Sequence, residues 1–127
     1  MDDTRARFLS AIAGQLGAER IVELHLFSPI RQGAMETGVA VVAALPDESV
    51  ADARHVVFTA RYRLTRKGVD RGQWAFELAA TADAPLATVD MVVRGVMHRA
   101  RDLTESERFS GEQVRALLAE PAWRTTP

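Results

Sequence analysis

Cysteine is absent from this 127-residue chain. That excludes disulfides, thiolate nucleophiles and Cys-ligated zinc or iron–sulfur centres. A charge excess is missing too: 16 Lys and Arg stand against 17 Asp and Glu, a formal net of −1. Proteins that hold nucleic acid through its phosphates carry a clear positive surplus, so that class is disfavoured. No apolar run approaches the roughly 20 residues of a membrane helix, and no membrane partner is expected. The first residues are acidic (Asp2, Asp3) where a secretory signal would be basic, which points to a cytoplasmic protein. Phosphate-cradling glycine motifs and the Gly-x-Ser-x-Gly elbow are also missing. Asparagine is absent and Lys67 is the only lysine, a GC-rich coding bias that suggests a bacterial source and has no bearing on function.

What is present is ordinary globular material, 47% hydrophobic and 26% charged. A chain of this length buries roughly two thirds of its unfolded surface, so one core suffices. We expect a single α+β domain over residues 1–121 and a mobile tail over 122–127.

Residues 3–16 carry Phe8, Leu9, Ile12, Ala13 and Leu16 at helical spacing, with Asp2 or Asp3 as N-cap and Gly17 as terminator. From Arg20 the period becomes two. Val22, Leu24 and Leu26 alternate with Glu23, His25 and Phe27, a strand with one apolar and one mixed face, ended by Pro29. Residues 28–37 read as a loop. Residues 38–45 are apolar at every position and Val-rich, which predicts a strand covered on both faces, and 46–53 form a polar connection.

Residues 54–99 read as a three-stranded antiparallel meander. Val56, Phe58, Ala60, Tyr62 and Leu64 share one face of its first strand, and His55, Val57, Thr59, Arg61, Arg63 and Thr65 the other. A turn near Val69 pairs Leu64 with Trp74, Tyr62 with Phe76 and Arg61 with Glu77, aromatic against aromatic and charge against opposite charge. A turn at 83–86 then leads to a third strand over 88–94, in which Asp90 and Arg94 extend the charged face. Two capping boxes follow, Thr104 with Glu107 and Ser110 with Gln113; the second opens a helix over Val114, Leu117 and Leu118 that stops at Pro121. The expected architecture is an N-terminal helix, a meander of about five antiparallel strands, and one or two C-terminal helices packed on the sheet.

Glu23 and His25 lie two apart in a strand and share a face, so they are the candidates for acid–base chemistry. The plainer reading is a salt bridge on a half-exposed sheet. His55 and His98 show no metal-ligand spacing, and no metal or other cofactor is expected. The ladder Arg61, Arg63, Glu77, Asp90 and Arg94 suits a carboxylate ligand or a protein interface, or it is a solvated face whose charges satisfy one another. The cations Arg61, Arg63, Arg66, Lys67 and Arg71 around the first turn are the best case for nucleic acid. Parity sets Tyr62, Trp74 and Phe76 on the opposite face, which argues against a stacking platform. Those aromatics with Phe58 and Met91 belong in the core.

Two helices cover one face of a five-stranded sheet, so Val57, Val92 and alternate positions of 38–45 would be left exposed on the other, a reason to expect a homodimer. The chain therefore reads as a non-catalytic interaction module, a homodimer or an adaptor with a protein partner. The alternative is a binder of a small apolar or carboxylate ligand with weak acid–base chemistry at Glu23 and His25.

Overall fold

The computed structural model describes residues 3–45, 56–67, 71–80, 89–99 and 105–119. The expected N-cap side chain at Asp2 or Asp3, the connection 46–53, the turn 83–86, the stop at Pro121 and the tail 122–127 lie outside the described residues, as do the side chains of Arg66, Lys67, Arg71 and His98 and all of His55.

Helix α1 (Asp3–Leu16) is followed by a short 3-10 turn (Ala18–Arg20), then strands β1 (Ile21–Phe27), β2 (Ile30–Gln32), β3 (Met35–Ala44), β4 (Val56–Lys67) and β5 (Arg71–Ala80). Helix α2 (Val89–Arg99), strand β6 (Glu105–Ser110) and helix α3 (Gly111–Leu118) complete the elements among the described residues. All pairings are antiparallel, in the order β5-β4-β3-β1-β6, with β2 also on β3. The fold is α+β, with an N-terminal helix, a six-stranded sheet and C-terminal helices packed on it.

Four differences from the sequence reading matter for the site. The segment 28–37 is a hairpin, because Gln32 pairs with Met35 across two residues and Gly33 (φ 60°) supplies the positive φ that such a turn needs. The described part of the segment 88–94, residues 89–94, belongs to a helix rather than to a third meander strand. Val89, Val92, Val93, Val96 and Met97 fall at spacings of three and four, and all five pack on the sheet while Met91 is left exposed. The residues 105–107 are strand where the sequence reading expected a helix start, with Thr104 outside the described residues, whereas the Ser110–Gln113 capping box is present. Finally, a bulge between Ile21 and Glu23 brings Ile21 into the core and leaves Val22 half-buried.

The β4–β5 register is the expected one, with Leu64 opposite Trp74, Tyr62 opposite Phe76 and Arg61 opposite Glu77. One sheet face carries Leu24, Leu26, Ala40, Val42, Ala60, Tyr62, Leu64 and Phe109, and the terminal helices cover it with Phe8, Leu9, Ile12, Leu16 and Val114. Phe8 meets Tyr62 and Phe76 edge-on, at 4.7 and 6.0 Å between ring centroids. Tyr62 lies over Gly38, the residue it faces on β3, where any side chain would meet the ring.

The second face carries Phe27, Val39, Val41 and Val57, and α2 covers them with Val92, Val93 and Val96. Strands β5 and β6 are opposite edges of the sheet, and the chain between them places α2 on this face. The full burial of β3 on both sides follows: Val39, Val41, Val42 and Ala44 are all buried. The apolar area on which the homodimer expectation rested is thereby covered within one chain.

Candidate functional site

Alternation along β1 sets Glu23 and His25 on the second face, where they oppose Ala43 and Val41 of β3 and Ser110 and Arg108 of β6. His25 Nε2 lies 3.0 Å from Glu23 Oε2, and Arg108 Nε donates to Glu23 Oε1 at 2.7 Å, with its Nη2 closing on the same oxygen. Burial pushes the Glu23 carboxyl up, but hydrogen bonds from His25 and Arg108, with the Arg108 charge, outweigh it and hold the group below its ordinary value. A carboxylate so held is a weak proton acceptor, and His25 is only 5% exposed. The triad is built to fasten the edge strand β6 onto β1. The sequence brought Glu23 and His25 together but missed Arg108, whose signal is the alternation Glu107-Arg108-Phe109-Ser110.

The charged ladder divides. Arg61 and Glu77 face each other with 3.6 Å between Nη1 and Oε1, both well exposed, and Arg63 sits two residues along the same face opposite Ala75. A shallow depression of about 170 Å³ lies here, lined by Arg61, Tyr62, Arg63, Ala75, Phe76 and Glu77. Asp90 and Arg94 are not part of it. They are exposed on α2, because the helical period that buries Val92, Val93 and Val96 turns them outward.

A second carboxylate, unnoticed in the sequence, is buried on the aromatic face. Glu36 accepts from Tyr62 Oη at 2.7 Å and from Arg31 Nε at 2.8 Å, and is 7% exposed. Arg31 opposes Glu36 in the β2–β3 hairpin, so a segment read as loop supplies the counter-charge. Arg5 of α1 joins the edge of the same core. It is half-buried, donates to Glu107 Oε2 at 2.7 Å and lies over the Phe109 ring.

Among the described residues no group of three or more His, Asp or Glu could hold a metal ion. None of the described helices is long and apolar enough to cross a membrane. Neither a family model, nor a curated protein, nor a solved structure matches this chain.

The sheet's two edges differ. Strand β6 is six residues long, carries Glu105, Glu107 and Arg108, and pairs with β1 through a register shift. Strand β5 runs ten residues without Pro, Lys or bulge, in unbroken register with β4. Its outer side pairs with no strand among the described residues. On one face it carries the half-buried Trp74, Phe76 and Leu78, and on the other the exposed Ala75, Glu77 and Ala79.

Proposed function

We propose that this protein is a non-catalytic interaction module that works as a homodimer, pairing strand β5 of one copy with β5 of another. The observation that carries the reading is the unprotected β5 edge. Natural sheets blunt their edges with short strands, charges, proline or bulges; β6 uses the first, second and fourth of these, whereas β5 is long, has neither proline nor bulge, and carries only Arg71 and Glu77 as charges. A long edge with unpaired N–H and C=O groups is a template for a further strand.

The edge is also self-complementary. Antiparallel pairing about a twofold axis at Phe76 sets Phe76 against Phe76, Trp74 against Leu78 and Ala75 against Glu77, so that no like charges oppose. The exposed Arg61 and Arg63 lie one strand inward and keep the adjoining surface polar.

Sedimentation velocity over a wide concentration range tests the proposal, together with Ala79→Pro and Ala80→Pro. Successive residues of a strand point their N–H groups in opposite directions, so one of these two variants removes only an outward donor. The expected result is a concentration-dependent dimer that this variant abolishes while keeping a wild-type far-UV spectrum and melting temperature. A wild-type monomer at every concentration, with the outward amides of β5 exchanging freely, would sink the proposal.

A further inference from the structure

The depression beside the β5 edge is short of one carboxylate. Arg61, Arg63 and Glu77 are the charged members of its lining, so cations outnumber anions there. Arg61 opposes Glu77, and their 3.6 Å separation makes an ion pair too long for a hydrogen bond, which leaves the Glu77 carboxylate its acceptor capacity. Arg63 lies between Thr37 of β3 and Ala75 of β5, neither of which can take its charge. Its side chain is exposed, and on this face only the methyl group of Ala75 separates it from the outer side of β5.

We propose that Arg63 binds Glu77 of a second copy, and that this pair sets the register of the β5–β5 dimer. The inference rests on the dimer proposed above and names the residues that specify it. In antiparallel pairing centred on Phe76, Glu77 of the second copy stands opposite Ala75. The row across four strands then runs from Arg63 over Ala75 to Glu77 and Arg61 of the second copy, and the twofold axis repeats it in the opposite sense. Two strand spacings, about 10 Å between Cα atoms, separate Arg63 from Glu77 of the second copy. An extended Arg and a Glu span that distance together when the residue between them is as small as alanine.

Charge supports the same pairing. The two Glu77 residues of this dimer are diagonal neighbours, roughly 7–8 Å apart at Cα, and they repel one another. A guanidinium on each side of each carboxylate, Arg61 from its own chain and Arg63 from the other, offsets that repulsion. A register centred on Trp74 would instead set position 71 opposite Glu77, but it pairs only residues 71–77 of β5, against 72–80 for the Phe76 centre.

Sedimentation equilibrium of the full chain reads the dimer constant. Two symmetry-related surface ion pairs are together worth roughly three- to thirtyfold in that constant, and Arg63→Gln should weaken the dimer by this much. High salt should weaken the wild-type dimer and leave Arg63→Gln nearly unchanged. Arg63→Glu and Glu77→Arg set like charges across the twofold axis, so each alone should weaken association further. An equimolar mixture of these two variants should form a heterodimer close to wild-type strength, because the exchanged charges meet across the axis; a role confined to one chain could not produce that rescue. Arg94→Glu makes the same charge change on the exposed side of α2 and should leave the constant as it is. Far-UV spectra and melting temperatures of the variants check that each is folded. A wild type that stays monomeric overturns this inference together with the β5 dimer. The inference alone is overturned if the outward proline variant abolishes the dimer while Arg63→Glu does not weaken it, or if mixing the two charge variants restores nothing. It is likewise overturned if Arg71→Glu weakens the dimer and Arg63→Glu does not, which would move the twofold axis to Trp74.

Discussion

Replacing Gly38 by alanine should damage this protein more than a single methyl group ordinarily does. A Cβ at Gly38 would stand 1.9 Å from Tyr62 Cε1 and 2.5 Å from Cζ. Carbon atoms in contact normally lie about 3.5–4.0 Å apart, so the ring must retreat by more than an ångström. It has nowhere to go. The Phe8 ring packs edge-on at 4.7 Å, Trp74 stacks at 4.9 Å, and the hydroxyl is tied to the buried Glu36 at 2.7 Å. Overpacking of this kind costs about 1–3 kcal/mol. If the ring swings far enough to break the bond to Glu36, a further ~1.5–3 kcal/mol is at stake, because the acceptor is a buried carboxylate.

The expected loss is therefore about 3–5 kcal/mol, a large part of a small domain's stability, and the melting temperature should fall by roughly 12–20 °C. Urea unfolding followed by tryptophan fluorescence measures the first quantity and a thermal scan the second. The decisive comparison uses Tyr62→Leu as background. With the ring gone, Gly38→Ala should cost nothing or stabilise by about 0.5–1 kcal/mol, since alanine loses less freedom than glycine in a strand. An equal cost in both backgrounds would refute the contact as the cause.

The remaining predictions concern the other sheet face. Glu23 has a folded-state pKa below its ordinary value, so its stabilising contribution is complete above the ordinary carboxylate range and is lost as pH falls through the lowered value. Glu23→Gln should therefore cost about 1.5–3 kcal/mol near neutrality and almost nothing in strong acid, as read by urea unfolding across pH; a gap that does not change with pH would contradict the assignment. Val96→Ala removes two methyl groups from beneath α2 and should cost about 1.5–2.5 kcal/mol, with hydrogen exchange accelerated first in the amides of α2. Unchanged exchange there would show that the helix is not held by this contact.

The parts of the fold that were legible in the sequence are those where one period or one local motif has no competitor. The α1 stripe, the doubly buried β3, the β4–β5 register and the Ser110 cap belong to that group. Residues 88–94 were different, because Val89, Met91 and Val93 alternate as a strand would, while Val89, Val92, Val93, Val96 and Met97 satisfy a helix. Only the part beyond Arg94 breaks the tie, since Val96 and Met97 fit the helical period and cannot both face one side of a strand. At 104–107 a local capping pattern competed with a distant pairing: Phe109 opposes Leu24, and nothing near Phe109 in sequence announces a partner so far away. The same separation hid Arg108 from Glu23. An ion pair between strands that no short turn joins leaves no spacing to read, unlike Arg61 and Glu77 across the β4–β5 hairpin.

The misread helix also changes the physical basis of assembly. An uncovered apolar face predicts an obligate dimer, since burying a large hydrophobic surface contributes about 25 cal/mol per Å² and leaves no stable monomer. With α2 over Val39, Val41 and Val57, that surface is spent inside one chain, and each copy has two complete cores. What remains is an edge, where association rests on backbone hydrogen bonds worth about 0.5–1.5 kcal/mol each and on the flanks of Trp74, Phe76 and Leu78. One added strand pair buries less than the roughly 1,200–2,000 Å² of a standard stable interface. The dimer should therefore be a reversible one formed by folded monomers, and dilution should separate the copies without changing the far-UV spectrum. Loss of secondary structure on dilution would mean that a face, and not the β5 edge, holds the copies together.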